Sequence, residues 1–586
     1  MDVPSQLQLS FMVLACYAKQ HLVIPASAIL LCWTGFSVAY AQAPKDYTAP
    51  PKENAATAAA AGTVPATGAT SQSPTGAPTP AARPIFIQEY RVLGSKILTP
   101  IEIGDTVYPF LGPGRTVDDV EHARAALERV YHEKGYQTVT VQIPQQQGRG
   151  GVVFLEVVET KVGRLRVKGS RYYSLNTIRK GAPSLTPGNV PNFNDLTREM
   201  IGLNQWPDRR VTVTSDSIRP GVEPGTVDID LMVKDTFPLH GSVELNNRYS
   251  PDTSELRING GISYGNLWQL GHSAGVSFQI SPQNREDVKV ISGYYLARLP
   301  HVDWLTLTLQ ATKQDSNVST LGGAAVAGKG ETVGLRASFT LPQLTNYVHS
   351  LSLGIDYKHY EQNVLLGLDV TSAPTSYYPL SIAYSGTWFG RGDKNSLGYS
   401  TDLNAGLYFH LRGMGSSETS FDNSRYKSSG DFLYFRGDLT HEHDLPGGFQ
   451  VMAKVQGQIA DEPLLSAEQF SAGGLSSVRG YLEGEVPGDN AVIGSIELRS
   501  PSLLNWAGST TTEWRVYAFF DGSYVTINDP LPEQDAHWEL ASIGAGSRIR
   551  LSDHFNGSLD AGLPLISQSH TVAHDWLFTF RVWADF

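Results

Sequence analysis

Past residue 43 the chain contains no cysteine, because Cys16 and Cys32 are the only two it has. That absence excludes a disulfide scaffold, a thiolate metal site and a cysteine nucleophile from everything that follows. Charge is scarce as well: charged residues make up 17% of the 586, with a net charge of −12, which argues against a nucleic-acid-binding surface. Beyond residue 43 no apolar run reaches the roughly 18 residues that a spanning helix needs. There is no Walker phosphate loop, so nothing points to nucleotide use. What the chain has instead is 57 glycines and 10% aromatic residues, a composition unlike that of a disordered chain or a helical membrane protein.

The first 43 residues read as an export signal. Lys19 and His21 precede an apolar run over residues 22–38, and Ala39-Tyr40-Ala41 and Ala41-Gln42-Ala43 offer small-residue cleavage sites. Pro25 and Gly35 interrupt the run, which favours cleavage over a membrane anchor. An exported chain without a spanning helix is either soluble or a barrel. Residues 44–84 are mostly Ala, Pro, Thr and Gly with almost no large apolar side chain, so a disordered linker is expected there.

Residues 85–161 and 162–236 read as two tandem αβ modules with the same order: strand, short helix, longer helix, strand, strand. In the first, a strand starts at Ile85, Thr99-Pro100 opens a short helix, and Thr116-Val117-Asp118-Asp119 caps a longer one. Val120, Ala123, Leu127, Val130 and Tyr131 form that helix's apolar face and Gly135 stands where it should stop. Strands are expected over residues 138–143 and 152–158. In the second module the expected elements are strands over 163–167, 211–214 and 227–233 and helices over 175–180 and 194–205.

From residue 237 to 586 the pattern changes to period-two alternation. Leu351, Leu353, Ile355 and Tyr357 alternate with Ser352, Gly354, Asp356 and Lys358, and Leu403, Ala405, Leu407, Phe409 and Leu411 alternate in the same way. The last segment puts Trp576, Phe578, Phe580, Val582, Ala584 and Phe586 on one face and Thr579, Arg581 and Asp585 on the other. A soluble sandwich also alternates. A polar opposite face sustained over such a length suits a closed membrane barrel, apolar toward lipid and wet inside, with an even count of roughly 14 to 18 strands.

Within this region Gly473-Gly474-Leu475-Ser476-Ser477-Val478-Arg479-Gly480-Tyr481 sets one arginine among glycines. Glycines allow a tight turn, and a guanidinium held there offers up to five donors to one partner. The tetrapeptide alone would equally serve a solvated turn.

Taken together, two αβ modules before a barrel that carries Val478-Arg479-Gly480-Tyr481 resemble the outer-membrane transporters of two-partner secretion, the TpsB family of ShlB/FhaC/HecB type, relatives of the BamA superfamily. Glu468-Gln469-Phe470-Ser471-Ala472, Gly488-Asp489, Glu497-Leu498, Phe519-Phe520-Asp521-Gly522, Gly544-Ala545-Gly546 and Pro564-Leu565 also resemble the family pattern. The resemblance covers residues 85 to 586. It implies two periplasmic POTRA domains and a sixteen-stranded barrel that exports one large β-rich secreted partner of TpsA type, an adhesin or haemolysin, without nucleotide or cofactor. It further implies contact with outer-membrane lipid, help from the barrel assembly machinery during biogenesis, and a C-terminal assembly signal at Phe586. Residues 44–236 would lie in the periplasm.

By the same resemblance the arginine turn is the tip of a loop folded into the lumen, and Arg479 meets Asp521 on the inner wall. A lumen arginine needs a carboxylate, whether to fix the loop or only to stabilise the barrel. Many members of the family begin with an amphipathic plug helix; residues 44–84 are too rich in proline to form one convincingly. A BamA-type assembly factor, which usually carries more than two modules, and a passive porin, which needs neither modules nor turn, are the alternatives.

Other candidate chemistry is weak. Gly261-Ile262-Ser263-Tyr264-Gly265 has the spacing of a hydrolase elbow but sits in an alternating strand with no helix after it. His441-Glu442-His443 lacks a third metal ligand, and Arg391-Gly392-Asp393 reads as a charged turn. No catalytic residue, metal site or cofactor site is expected.

Overall fold

The computed structural model describes residues 84–586 apart from 147–148, 205, 300–301, 303, 320–325, 343, 345, 367–368, 391–396, 505–511, 533 and 553. The expected signal peptide, the linker, the question of a plug helix and the Arg391-Gly392-Asp393 turn therefore lie outside the described residues.

The first module begins with two short strands, Ile85–Ile87 and Glu89–Leu93, split at Gln88, whose amide turns aside to the Gly151 carbonyl at 2.7 Å. The helix Pro100–Val107 and the longer helix Val117–Glu133 follow, each opened by a capping box, Thr99 with Glu102 and Thr116 with Asp119. The strand Val152–Glu159 lies between Glu89–Leu93, with which it runs parallel, and the antiparallel Val139–Gln142. Val120, Ala123, Leu127 and Tyr131 project from the long helix into a core shared with Val139, Val141 and Leu155.

The second module repeats this plan. The helices are Leu175–Lys180 and Phe193–Leu203, and the strand Thr226–Asp235 lies between the parallel Lys161–Lys168 and the antiparallel Arg209–Thr212. The modules join where the first long helix ends. Gly135, at φ 95°, gives its carbonyl to the Phe193 amide at 2.8 Å, and a Cβ there would lie 2.5 Å from Asn192 Oδ1. The second module in turn rests on a barrel turn: the Ser174 amide donates to Gln269 Oε1 at 2.9 Å, and the Trp206 ring lies against Gly271.

Strands from Leu239–Asn246 to Leu577–Asp585 close into an antiparallel barrel. Two of its segments, Asp369–Tyr377 and Leu380–Gly390, are one strand interrupted at Pro379. Both pair with Tyr347–Leu366, and the register runs through from Ile355↔Leu380 to Lys358↔Tyr377. Counted so, the barrel has sixteen strands. Closure pairs the first strand with the last from Ser242↔Asp585 to Asn246↔Arg581. It is fastened inside by Arg581, whose Nη2 donates to Glu244 Oε2 at 2.7 Å, and at the base by mutual bonds between Gly241 and Phe586.

The alternation in the sequence becomes two surfaces. Val243, Leu245, Ile262, Phe278, Leu309, Leu353, Leu407, Val455, Ile496, Leu559 and Val582 are exposed on the outside, where lipid would cover them. Charged side chains turn inward in pairs, such as Arg336 with Asp356 at 2.6 Å. No helix among the described residues is long and apolar enough to cross a membrane.

Candidate functional site in the barrel lumen

Between the eleventh strand, Gln450–Ala460, and the twelfth, Asn490–Arg499, the chain makes a long excursion that folds back inside the barrel. A small hairpin, Phe470–Ala472 against Val486–Gly488, gives it a stem. Ala472, Val478, Tyr481 and Val486 bury themselves against Ala491, Ile493, Val525 and Leu540 of the wall, so the excursion has its own apolar core. Gly473, Gly474 and Gly480 all take positive φ, and at Gly473 a Cβ would stand 2.5 Å from the Leu482 carbonyl oxygen.

Arg479 occupies the tip. Its Nε and Nη2 donate to Asp521 Oδ2 and Oδ1 at 2.7 and 2.8 Å, a fork-to-fork pair, and its own backbone amide donates to Oδ2 at 3.1 Å. Nη1 donates to Glu497 Oε2 at 2.6 Å, and Nη2 also reaches Ser495 Oγ at 3.2 Å. The guanidinium lies 3.6 Å from the centre of the Phe519 ring, so its flat face is covered too. Burial works against the charge, but Asp521 and then Glu497 outweigh it and hold the guanidinium's proton more firmly than in an ordinary arginine.

The arginine side chain is only 7% exposed, which makes this a dry cluster. Removing the cation would leave the buried Asp521 without its ionic partner, at a cost of about 3–5 kcal/mol, while Glu497 would keep Arg499, whose Nε donates to its Oε1 at 2.6 Å.

Wall and loop come together through missing side chains. Glu497, Phe519, Gly544 and Gly562 face each other across four neighbouring strands. A Cβ on Gly544 would strike the Phe519 ring at 2.3 Å, and one on Gly562 would lie 2.5 Å from the Gly480 nitrogen. Tyr481 fixes the next residue, its hydroxyl lying 2.8 Å from the Ile566 carbonyl and 3.0 Å from that of Ala541. On the far side of the tip Glu483 Oε1 accepts from Arg248 Nε at 2.5 Å, tying the loop to the end of the first strand.

The structure thus brings Val478, Arg479, Gly480 and Tyr481 together with Phe519 and Asp521. The two remaining members of the wall motif do not touch Arg479. Phe520 points outward, 51% exposed, and Gly522 faces Gly494 across the sheet. Phe586 stands apart at the seam, its ring against His554 and Phe555.

Sequence reasoning assigned no role to Glu497, Ser495 or Gly562 in the arginine's surroundings, nor to Asp560, whose Oδ1 lies 4.0 Å from Arg479 Nη1. Strand parity could have found two of them. Ser495 and Glu497 share a face of one strand, and Phe519 and Asp521 share a face of the next; only a cross-strand register sets Ser495 opposite Asp521. Of the set-aside motif, Glu442 is ion-paired with Arg499 at 2.9 Å and His441 Nδ1 lies 2.8 Å from Thr401 Oγ1.

Comparison with known proteins gives consistent matches. Residues 225–549 match the family model of the haemolysin secretion/activation protein ShlB/FhaC/HecB, and residues 85–160 match the ShlB-type POTRA domain. The outer membrane transporter CdiB of Escherichia coli is 24% identical over 502 residues, which are 83% of this chain and 79% of that protein. The heme/hemopexin transporter protein HuxB of Haemophilus influenzae is 20% identical over 77% of this chain and 78% of its own length. Among solved structures, CdiB from Escherichia coli superposes with a TM-score of 0.61 at 21% identity, covering 88% of this chain and 93% of that one.

Proposed function

Because the chain belongs to the haemolysin secretion/activation family ShlB/FhaC/HecB, an outer-membrane transporter family with periplasmic POTRA domains, we propose that it exports one large β-rich protein of TpsA type, adhesin-like or haemolysin-like, through its own barrel. The cargo reaches the modules at 85–161 and 162–236 in extended form. There it adds main-chain hydrogen bonds to an exposed sheet edge or lies in a strand–helix groove, so no folded cargo surface is needed. It then passes the lumen, drawn by its own folding outside instead of by nucleotide.

The observation that carries this reading is the dry clamp on Arg479. A passive pore needs no loop held in its lumen, whereas a conduit that must stay closed until cargo arrives needs a plug with a defined resting place. The bidentate pair with Asp521 sets that place in depth and orientation, and Glu497 fixes the third direction. Arg479 is therefore assigned to seating the loop, and Asp521 and Glu497 to receiving it.

The test is secretion of the cargo protein, followed in cells that carry Arg479→Ala. Export is expected to fall to a small fraction of the native level while the outer membrane still contains a heat-modifiable barrel. Export at the native level would remove the loop from the mechanism.

A further inference from the structure

Away from its tip the lumen loop is fastened again, eleven residues before Arg479. Glu468, on the rising arm of the loop, is 2% exposed and receives three donors: Lys358 Nζ at 2.5 Å, Tyr377 OH at 2.7 Å and Tyr434 OH at 2.8 Å. Its backbone carbonyl accepts from Arg436 Nη2 and Gln458 Nε2, both at 3.1 Å. Lys358 itself is only 16% exposed. Burying a lysine and a carboxylate together costs desolvation of both, and such pairs are best understood where they fix a register or a state rather than add stability.

The two fastenings use different stretches of the wall, from the seventh to the eleventh strand for Glu468 and from the twelfth onward for Arg479. Lys358 belongs to the seventh strand, Tyr347–Leu366, and Tyr377 and Tyr434 to the eighth and tenth. Arg479 is held by the twelfth and thirteenth strands and abuts Gly562 of the fifteenth. Between their outermost members, the seventh and the fifteenth, the two sets of contacts together cover half of a ring of sixteen. Without Glu468 the loop would be held at its tip, by Arg479, Tyr481 and Glu483, and its rising arm would be free to move; with Glu468 seated the arm is held as well.

We propose that Lys358, with Tyr377 and Tyr434, forms a second latch that holds the lumen loop across the pore, and that export requires this latch to open. Lys358 is a positioning residue in this scheme: it acts through Glu468 and touches no cargo. The inference rests on the reading of the loop as the pore's plug, and it gives the plug's rising arm its own release point, separate from the tip held through Arg479, Tyr481 and Glu483.

The experiment uses the full chain reconstituted in planar lipid bilayers, where ionic conductance reports the state of the plug in the absence of cargo. Glu468→Gln and Lys358→Met are each expected to raise the mean open fraction by about tenfold or more. Tyr434→Phe, which keeps the ring and removes one donor, is expected to raise it by a smaller factor. The exchange Lys358→Glu with Glu468→Lys should bring it back toward the native level. Native conductance in both single charge variants overturns the latch. So does loss of the heat-modifiable barrel in those variants together with native conductance in Tyr434→Phe, which would make Lys358 a folding residue. The outcome is separable from that of the cargo experiment: normal secretion by Arg479→Ala would defeat the loop's role in export, while conductance would still show whether Lys358 holds it.

Discussion

At Gly480 and Gly562 two backbones approach so closely that Gly562 has no room for a side chain, while Gly480, at φ 88°, would bring a Cβ to 3.2 Å from the Gly562 carbonyl carbon. A methyl group on Gly562 would stand 2.5 Å from the Gly480 nitrogen and 2.6 Å from its Cα, and backbone cannot swing away as a flexible side chain can. Gly562→Ala is therefore expected to lift the loop tip off the wall, weaken the Arg479 clamp and cut cargo secretion severalfold. Gly494→Ala, where nothing lies within 4 Å of the added Cβ, should secrete normally. The same secretion assay reads both, and equal behaviour of the two variants would deny the close approach any role. This contact also marks how far single residues were legible. Arg479 and Asp521 could be matched because each sits in a distinctive string. Gly562 sits in none, and its importance arises only when a loop residue 82 positions earlier comes to rest against it. Glu497 was visible as part of a motif, but its place beside the arginine depends on register between strands, which one strand's alternation does not carry.

Among the elements, the connection that ends the second module offers the sharpest test. Asp235 closes the strand Thr226–Asp235, and its carboxylate accepts from the Arg171 and Tyr172 amides at 2.8 and 2.9 Å and from Ser170 Oγ at 3.0 Å. Burial alone would raise its pKa, but these donors bring the carboxyl below its ordinary value. A depressed folded pKa means that the contribution to stability is complete above the unfolded value of about 4 and is lost as the pH falls through the folded one. Asp235→Ala is expected to destabilise the module by about 1–3 kcal/mol at neutral pH, measured as faster amide hydrogen exchange at Arg171 and Tyr172. Unchanged exchange there would show that solvent replaces the carboxylate without loss. Element type was largely readable from period and caps: the expected 175–180 helix is Leu175–Lys180, and the Thr116 capping box forms as read. Interruptions were less so. The expected strand from Ile85 breaks at Gln88 because a carbonyl from the distant Gly151 captures its amide. The eighth barrel strand is broken by Pro379, which has no N–H to give to the ladder.

At the scale of the whole molecule, the periplasmic arm leads without a gap into the wall. The first module's long helix hands its end to the second through Gly135 and Phe193, and the second meets the barrel at Gln269 and Gly271. Deleting residues 162–236 is expected to leave an inserted, heat-modifiable barrel that exports no cargo, scored by cell fractionation and secretion together. Retained export would take cargo recognition away from the second module. The route of the lumen loop has a consequence for how such a molecule is made. Arg479 enters the lumen between strands eleven and twelve, yet it abuts Gly562 on strand fifteen, and Tyr481 reaches Ile566 beyond it. The loop cannot reach its final seat until nearly the entire sheet has been laid down, and by then the sheet is about to close around it. Its docking is thus among the latest events of folding, one with long sequence separation and a correspondingly slow search. A barrel that closes too early would trap its own loop outside, so the order in which strands arrive is part of what the sequence has to encode.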